Sequence, residues 1–516
     1  MMDPAARRKK LALGTLCITM FMSMLDNVIV NNALPRIGEE LHTGVSGLQW
    51  VVEGYSLIYA GLLLTGGSLG DRYGRTRIFK IGLALFTLGS AAAALSNSIG
   101  LLIAARMLQG VGAALLAPGS LSILRQVFTD DTERAKAIGM WSAFSSLGLA
   151  VGPVLGGPMV QHLGWASVFW INVPIGVLGL VMASRVLPEL STWAKRVDVP
   201  GQALSAVGLG ALVYTLVEGP SRGWTNGVVL GCAALAVVAL AAFVVVELRT
   251  TDPMFDLHFF KDRVLTGAVV SGFMISFGVF GTSFFLPLLM QGIMGWTPSS
   301  AGLAGLPMTA MLIAAAPLSG RMTASKGPRI PIVLGLALCA VALGGLSLYD
   351  SHAHYVSYLW VLIVLGFGLG MSFTPVSIAV MMRVPPNKAG MASATVNMLR
   401  ELGGVVGVAV LGAILTSRLN AVLAAPLGRL GVASGARHDI ANAITNSGAG
   451  HTSSLPPAIH RVVNDGFIEA LHLALRCGAA GLVVATLTVA YLLRPAPFPA
   501  APPAAEPTQQ DAPART

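Results

Sequence analysis

Apolar residues in this chain come in blocks of about twenty, broken by short polar segments, rather than at the spacing of a half-buried helix or strand. A helix rises about 1.5 Å per residue, so about 20 apolar residues are needed to cross the hydrocarbon core of a bilayer. Blocks of that length lie at 11–33, 49–69, 78–96, 100–121, 137–159, 166–187, 200–218, 227–247, 264–288, 301–320, 330–349, 358–381, 398–417 and 470–493. They predict an all-α membrane protein with about fourteen spans.

Composition agrees with the bilayer as solvent. Hydrophobic residues make up 54% of the 516 and charged residues 11%, where a soluble domain carries about 25% charged. Mean hydropathy is +0.73. The net charge of +10 would suggest nucleic acid in a soluble protein. Here Lys and Arg sit in short loops between apolar blocks, so they report topology and no nucleic-acid partner is expected. With a cytoplasmic N-terminus, roughly 25 of the 33 Lys and Arg fall on the cytoplasmic side. Arg36, Arg222, Arg418, Arg429, Arg437 and Arg461 fall outside, and Arg106 and Arg476 lie within spans. An even span count then puts both termini in the cytoplasm. Residues 1–10 form a basic tail. The apolar run after it is too long for a signal peptide and has no small-residue cleavage site. Residues 418–469 read as a long external loop, and the Pro- and Ala-rich segment 494–516 as a disordered cytoplasmic tail. The four cysteines lie in apolar blocks without metal-ligand spacing, so they read as packing residues with no disulfide framework.

The chain also echoes itself. The loop after the second span reads Gly67-Ser-Leu-Gly-Asp71-Arg72-Tyr-Gly74-Arg75-Thr-Arg77, and a degraded copy, Gly320-Arg321 with Gly327-Pro328-Arg329, follows the tenth. Gly148-x3-Gly152 in the fifth span matches Gly403-x3-Gly407 in the thirteenth. Both echoes are eight spans apart. Two six-helix bundles, 11–187 and 264–493, separated by two inserted helices, 199–247, give that offset.

Four motifs bring chemistry into the spans. The first span contains Leu25-Asp26-Asn27-Val28-Ile29-Val30-Asn31-Asn32-Ala33-Leu34-Pro35. Asp26 lies about seven residues, or about 10 Å, inside the outer end, beyond reach of bulk water without a cavity. An ion there costs roughly 2.5–3.5 kcal/mol on insertion scales, which makes Asp26 a candidate proton carrier. The fourth span contains Arg106-Met-Leu-Gln109-Gly110-Val-Gly112. Arg106 enters from outside at similar depth, so it either pairs with Asp26 or snorkels to the interface. Glu53, in Trp50-Val-Val-Glu53-Gly-Tyr55, is a second proton site, a contact for cationic substrates, or a wetted interfacial acid. In the Gly67–Arg77 loop, Gly67 and Gly74 allow close helix approach. Asp71 can pair with basic groups or with a helix N-terminus of the other half. Arg72, Arg75 and Arg77 alone would serve topology, but not this glycine-acid pattern. The fifth span reads Gly148-Leu-Ala-Val-Gly152-Pro153-Val-Leu-Gly156-Gly157, a smooth and kinked face.

Together these motifs resemble the fourteen-span drug:proton antiporter branch of the major facilitator superfamily, over roughly residues 11–493. Phe169-Trp170-Ile171-Asn172, Asp198-Val-Pro200-Gly201 and Glu218-Gly219-Pro220 add branch-level similarity. They read as structural, with Glu218 solvated at the outer end of the seventh span. The resemblance implies the major facilitator fold and a proton-coupling role for Asp26, Arg106 and Glu53. It implies a cytoplasmic gate at Gly67, Asp71, Arg72, Gly74, Arg75 and Arg77. Gly148, Gly152, Pro153, Gly156 and Gly157 correspond to the antiporter motif of the exporters. Asn31, Gln109 and Gly110 are candidates for lining the cavity. The implied activity is export of small lipophilic or amphipathic compounds across the cell membrane, by one chain, driven by the proton gradient with no cofactor or metal. No phosphate-binding Gly-x4-Gly-Lys-Ser/Thr loop is present, and no enzyme signature appears. A metabolite importer of the same fold and a non-transporting membrane receptor or enzyme are the rival readings.

Overall fold

A computed structural model of the protein describes residues 4–188, 198–250, 260–349, 354–384, 389–430 and 457–494. No strand occurs among them. The long helices are α1 (Pro4–Ile29), α2 (Val45–Tyr73), α3 (Arg75–Ala94), α4 (Ile99–Val127), α5 (Asp131–Leu163), α6 (Asn172–Val186) and α7 (Val199–Arg222). They continue as α8 (Gly227–Arg249), α9 (Arg263–Pro287), α10 (Leu306–Lys326), α11 (Arg329–Leu346), α12 (Tyr355–Met381), α13 (Ala389–Arg429) and α14 (Pro457–Leu492). Among the described residues, 13 helical segments are long and apolar enough to cross a membrane. α2 is not one of them, although it is 29 residues long: Gln49, Glu53 and Ser56 dilute its apolar residues.

Helix starts follow local chemistry. Ser98 caps α4 by accepting from the Leu101 N–H, and Asp262 caps α9 by accepting from Val264 and Leu265. Asp198 caps α7 with Pro200 in the first turn. α2 ends at Gly74, whose φ of 99° is a backbone region that only glycine enters without strain.

The packing pairs of the first six helices recur eight helices later. α1 packs on α5, α2 on α4, and α3 on α4 and α6; correspondingly α9 packs on α13, α10 on α12, and α11 on α12 and α14. Close glycine contacts recur as well. A Cβ on Gly148 would lie 2.5 Å from the Phe21 carbonyl oxygen of α1, and one on Gly407 would lie 2.7 Å from the Phe277 Cα of α9. Between the halves, α7 packs on α2 and α13, and α8 packs on α7. α8 turns Val237 and Val238 outward, 70% and 65% exposed, as a lipid-facing helix should.

Two expectations shift. Glu218 is not freely solvated: it accepts hydrogen bonds from Ser46 Oγ (2.9 Å), Trp50 Nε1 (3.1 Å) and Arg222 Nε (2.8 Å), fastening α7 to α2. The segment 418–469, read as a loop, is helical at both ends. α13 runs to Arg429 and α14 begins at Pro457, while 431–456 lies outside the described residues. Leu419, Leu423 and Leu427 of α13 are buried, as are Val463, Phe467 and Leu471 of α14. This amphipathic spacing extends the helix pair beyond its apolar blocks. The tail 494–516 lies outside the described residues from 495 onward.

The halves meet at the end that carries Asn32 and Gln49. There Gln291 Nε2 donates to the Asn32 carbonyl (3.2 Å) and Gln49 Nε2 to the Val408 carbonyl (3.1 Å) across the halves, while Asn32 Nδ2 donates within the first half to the Pro153 carbonyl (2.7 Å). At the opposite end α5 stands away, with Gly139, Met140, Ser142, Ala143, Phe144, Ser146 and Leu147 all exposed. Consecutive exposed residues cover most of the helix circumference, so α5 faces a gap as well as lipid there.

Candidate functional site

Asp26 and Arg106 meet in the middle of the first bundle. Arg106 Nη1 donates to Asp26 Oδ2 at 2.6 Å, with side-chain exposures of 2% and 0%. Arg106 also donates to Gln109 Oε1 (2.9 Å) and, from Nε, to the Val51 carbonyl (3.1 Å). Its guanidinium carbon lies 4.3 Å from the centroid of Tyr55, over the ring. The other carboxylate oxygen, Asp26 Oδ1, accepts from Gln109 Nε2 (3.2 Å) and Asn172 Nδ2 (2.7 Å). Both amides also donate to Ser90 Oγ, at 2.8 and 2.9 Å. Five helices therefore supply one closed polar cluster in an otherwise apolar bundle. Arg106 points inward to Asp26, so the snorkelling alternative does not hold in this conformation. Burying an ion pair is tolerable only when its remaining polar atoms are satisfied, and these bonds do that.

Asn172 and Ser90 belong to this cluster although sequence reasoning did not place them there. In the sequence Asn172 reads as structural, and Ser90 carries no motif. Small polar residues are common in membrane helices, so only the three-dimensional contact distinguishes these two. The three residues expected to line a cavity are all buried. Gln109 is a member of the cluster. Gly110 is a packing residue: a Cβ there would lie 2.6 Å from the Tyr55 carbonyl oxygen and 3.0 Å from Ile58 Cβ. Asn31 is buried with Oδ1 unpartnered, and its neighbour Asn32 accepts through its carbonyl from Gln291 of the other half.

Glu53 does not join the cluster. It is fully buried on α2 and neither carboxylate oxygen has a hydrogen-bond partner. It lines a small cavity between α2 and α13, so it is not a wetted interfacial acid.

The glycines of α5 serve two faces. Gly148, Gly152 and Gly156 pack on α1: a Cβ on Gly156 would lie 2.8 Å from Ile29 Cγ1 and 3.1 Å from its carbonyl oxygen. Gly157 faces the other half, where an added Cβ would lie 3.0 Å from the Pro298 carbonyl carbon. Pro153 leaves the carbonyl four residues earlier without its helical donor, and its own carbonyl receives Asn32. In the Gly67–Arg77 loop, Asp71 Oδ1 pairs with Arg75 at 2.8 Å, within its own loop. Arg72 and Arg77 are exposed. Gly67 is roomy, with Pro118 Cβ at 3.7 Å from an added Cβ. The close approach expected of Gly67 falls instead to Gly66, whose Cβ would lie 2.9 Å from the Ala114 carbonyl carbon.

No group of three or more His, Cys, Asp or Glu with metal-binding geometry occurs among the described residues.

Residues 16–408 match the family model described as Major Facilitator Superfamily. Multidrug resistance protein Stp of Mycobacterium tuberculosis is 37% identical over 492 residues, covering 93% of this chain and 91% of that protein. The tetracenomycin C resistance and export protein of Streptomyces glaucescens is 33% identical over 503 residues, covering 94% and 92%. A crystal structure of a bacterial homologue of the human lysosomal transporter Spinster, inward-facing and unoccupied, superposes with a TM-score of 0.67 at 16% identity, covering 95% of this chain and 98% of that one; this likeness concerns the fold alone. With the family model matched across three quarters of its length and relatives matched nearly end to end, the chain belongs to the Major Facilitator Superfamily.

Proposed function

We propose that this protein exports small lipophilic or amphipathic compounds, such as drugs, antibiotics, dyes and toxic metabolites, in exchange for protons, as a monomer in the cell membrane with both termini cytoplasmic. The observation that carries the coupling is the buried Asp26–Arg106 pair, 2.6 Å apart. Direction is supported by relatives named for resistance and export. It is supported too by the glycine-proline face of α5, which presses on α1 and on the start of the second half. Two small molecules, proton and cargo, are the only ligands the mechanism needs.

In this reading Asp26 holds the ion pair in one state and takes up a proton in the other. Protonation removes the charge that Arg106 faces. Arg106 is then left with Gln109 and the Val51 carbonyl, so the balance of contacts among α1, α2 and α4 changes. α5 and α10 respond by rocking. Protonated from outside, the protein closes the seam at Asn32, Gln49 and Gly157 and opens the cytoplasmic end, where the proton leaves; with cargo bound in its place the seam opens outward while the Asp71–Arg75 turn closes the cytoplasmic end. Gly148, Gly152 and Gly156 let α1 and α5 move as one layer. Amide and hydroxyl partners around Asp26 keep the carboxyl oriented in both protonation states.

A susceptibility panel in cells with and without the gene tests this, with a protonophore arm. The expected result is tolerance to several lipophilic compounds that the protonophore removes. An importer would instead sensitise cells to a compound it carries, and a receptor or enzyme would change neither uptake nor efflux.

A further inference from the structure

The cavity lined by Glu53 is also lined by Glu401 of α13, so one acid comes from each half of the molecule. Both are buried, at 0% and 7% exposure. The rest of the lining is mostly apolar: Val52, Phe280, Val405 and Val408. Glu53 Oε1 and Oε2 have no partner at all. Glu401 has Arg400 3.8 Å away, itself part exposed, while Arg106, which reaches Val51 and Tyr55 of α2, is committed to Asp26. The guanidinium carbon of Arg400 lies 5.5 Å from the centroid of the Phe373 ring. Tyr55 and Tyr59 are the other titratable groups of α2 on this side, with rings stacked 5.9 Å apart. α1 contributes Asp26, which is already held by Arg106. α9 presents Phe280 to the cavity, and the ionisable groups of α7 nearest α2, Glu218 and Arg222, lie about one turn along α2 from Glu53, where Glu218 is already held by Arg222, Ser46 and Trp50.

Two carboxylates cannot both be ionised in one dry cavity with a single weak counter-ion. We propose that Glu53 and Glu401 form a proton-binding pair across the seam between the halves, and that the seam closes only when the pair holds a proton. With the proton bound, a neutral carboxyl faces a carboxylate and can donate a hydrogen bond to it. Once the proton leaves, two like charges face each other, and separating α2 from α13 lets water reach both. The seam on this side is the one fastened by Gln49 to the Val408 carbonyl, 3.1 Å away. Under the orientation proposed above it is external, so an external proton would latch the outer door. The inference rests on that reading for its direction only; the proton pair itself does not depend on it.

The test is the distance across the seam. Spin labels go at His42→Cys and Ser417→Cys, both exposed positions, in a background whose 4 native cysteines are replaced. The full chain in nanodiscs is measured by double electron–electron resonance from about pH 5.5 to about pH 8.5, which brackets the titration of a carboxyl pair held in an apolar site. In the wild type the open population should rise at least about tenfold across this range, since one linked proton supports up to tenfold per pH unit. E53Q should remain closed at every pH. E401Q should lose the response as well, whereas E53D, which keeps a carboxyl, should retain it. Monodispersity on gel filtration identifies a variant that fails to fold, in which case the other Gln variant carries the comparison. A wild-type distance that does not change with pH overturns the proposal, as does a wild-type response in both Gln variants. D26N separates the two readings. Loss of the response in D26N with a normal response in E53Q assigns the titrating group to Asp26 and overturns this pair. Normal proton-driven efflux in D26N, with the response still lost in E53Q, overturns the coupling role of Asp26 and leaves the pair standing.

Discussion

Replacing Asp26 by Asn keeps the shape of the side chain and removes its charge. The Arg106 guanidinium, 2% exposed, then has no anion. Breaking a buried pair by removing one partner costs about 3–5 kcal/mol. Part of that is offset, because Arg106 keeps the Gln109 Oε1 and Val51 carbonyl acceptors and the face of Tyr55. A desolvated cation over an aromatic ring contributes about 2 kcal/mol. The expected net loss is therefore about 1–3 kcal/mol, at or below the lower end of that range. The substituted protein should fold, with a lower unfolding temperature in detergent. Transport should respond differently: with no proton to carry, dye efflux from energised cells at matched expression should fall at least about tenfold, corresponding to a coupling loss of about 1.4 kcal/mol or more. D26E, which restores the charge on a longer arm, should keep measurable coupling. R106K should fall between, because one ammonium cannot reproduce the planar group whose Nη1 reaches both Asp26 and Gln109 while its Nε donates to the Val51 carbonyl. Wild-type efflux rates in D26N would refute the reasoning outright.

Three further outcomes are expected. G156V should force α1 and α5 apart at Ile29, costing about 1–3 kcal/mol by overpacking and reducing transport. G139A in the same helix, where an added Cβ meets nothing within 4 Å, should leave the unfolding temperature unchanged. N172A should remove one of the two donors to Asp26 Oδ1 and to Ser90 Oγ, leaving each with Gln109 Nε2 alone, destabilising by about 1–3 kcal/mol and slowing efflux without changing which compounds are carried. G74A places a side chain at a φ of 99°, which costs about 1–3 kcal/mol; thermal unfolding should report it even if transport survives.

Much of the fold was legible because the bilayer imposes a length rule. Apolar blocks of the right size became helices, and the α13–α14 pair departed from its blocks because leucines at helical spacing continued beyond the hydrocarbon region. The α2 helix is dilute because it carries Gln49 and Glu53, the same residues that meet the other half. Asp26 and Arg106 stood out as charges in apolar runs, and their similar depth suggested the pairing that the structure displays. Ser90, Asn172 and Glu401 did not stand out in the same way. The first two are small polar residues of a kind found throughout membrane helices, and Glu401 sits near the end of its block, where an acid normally reads as interfacial. Gly66 and Gly110 show a further limit: spacing reveals that glycines pack, but not against which helix.

The central claim is exchange of protons for cargo, and it is tested most directly in proteoliposomes holding the purified protein, a lumenal pH dye and a fluorescent lipophilic cation. With the pH difference imposed in either direction, cargo should move against the proton flux, and adding cargo without a gradient should itself drive a pH change. D26N should show neither. Cargo moving down its own gradient at the same rate with or without the pH difference would contradict the account.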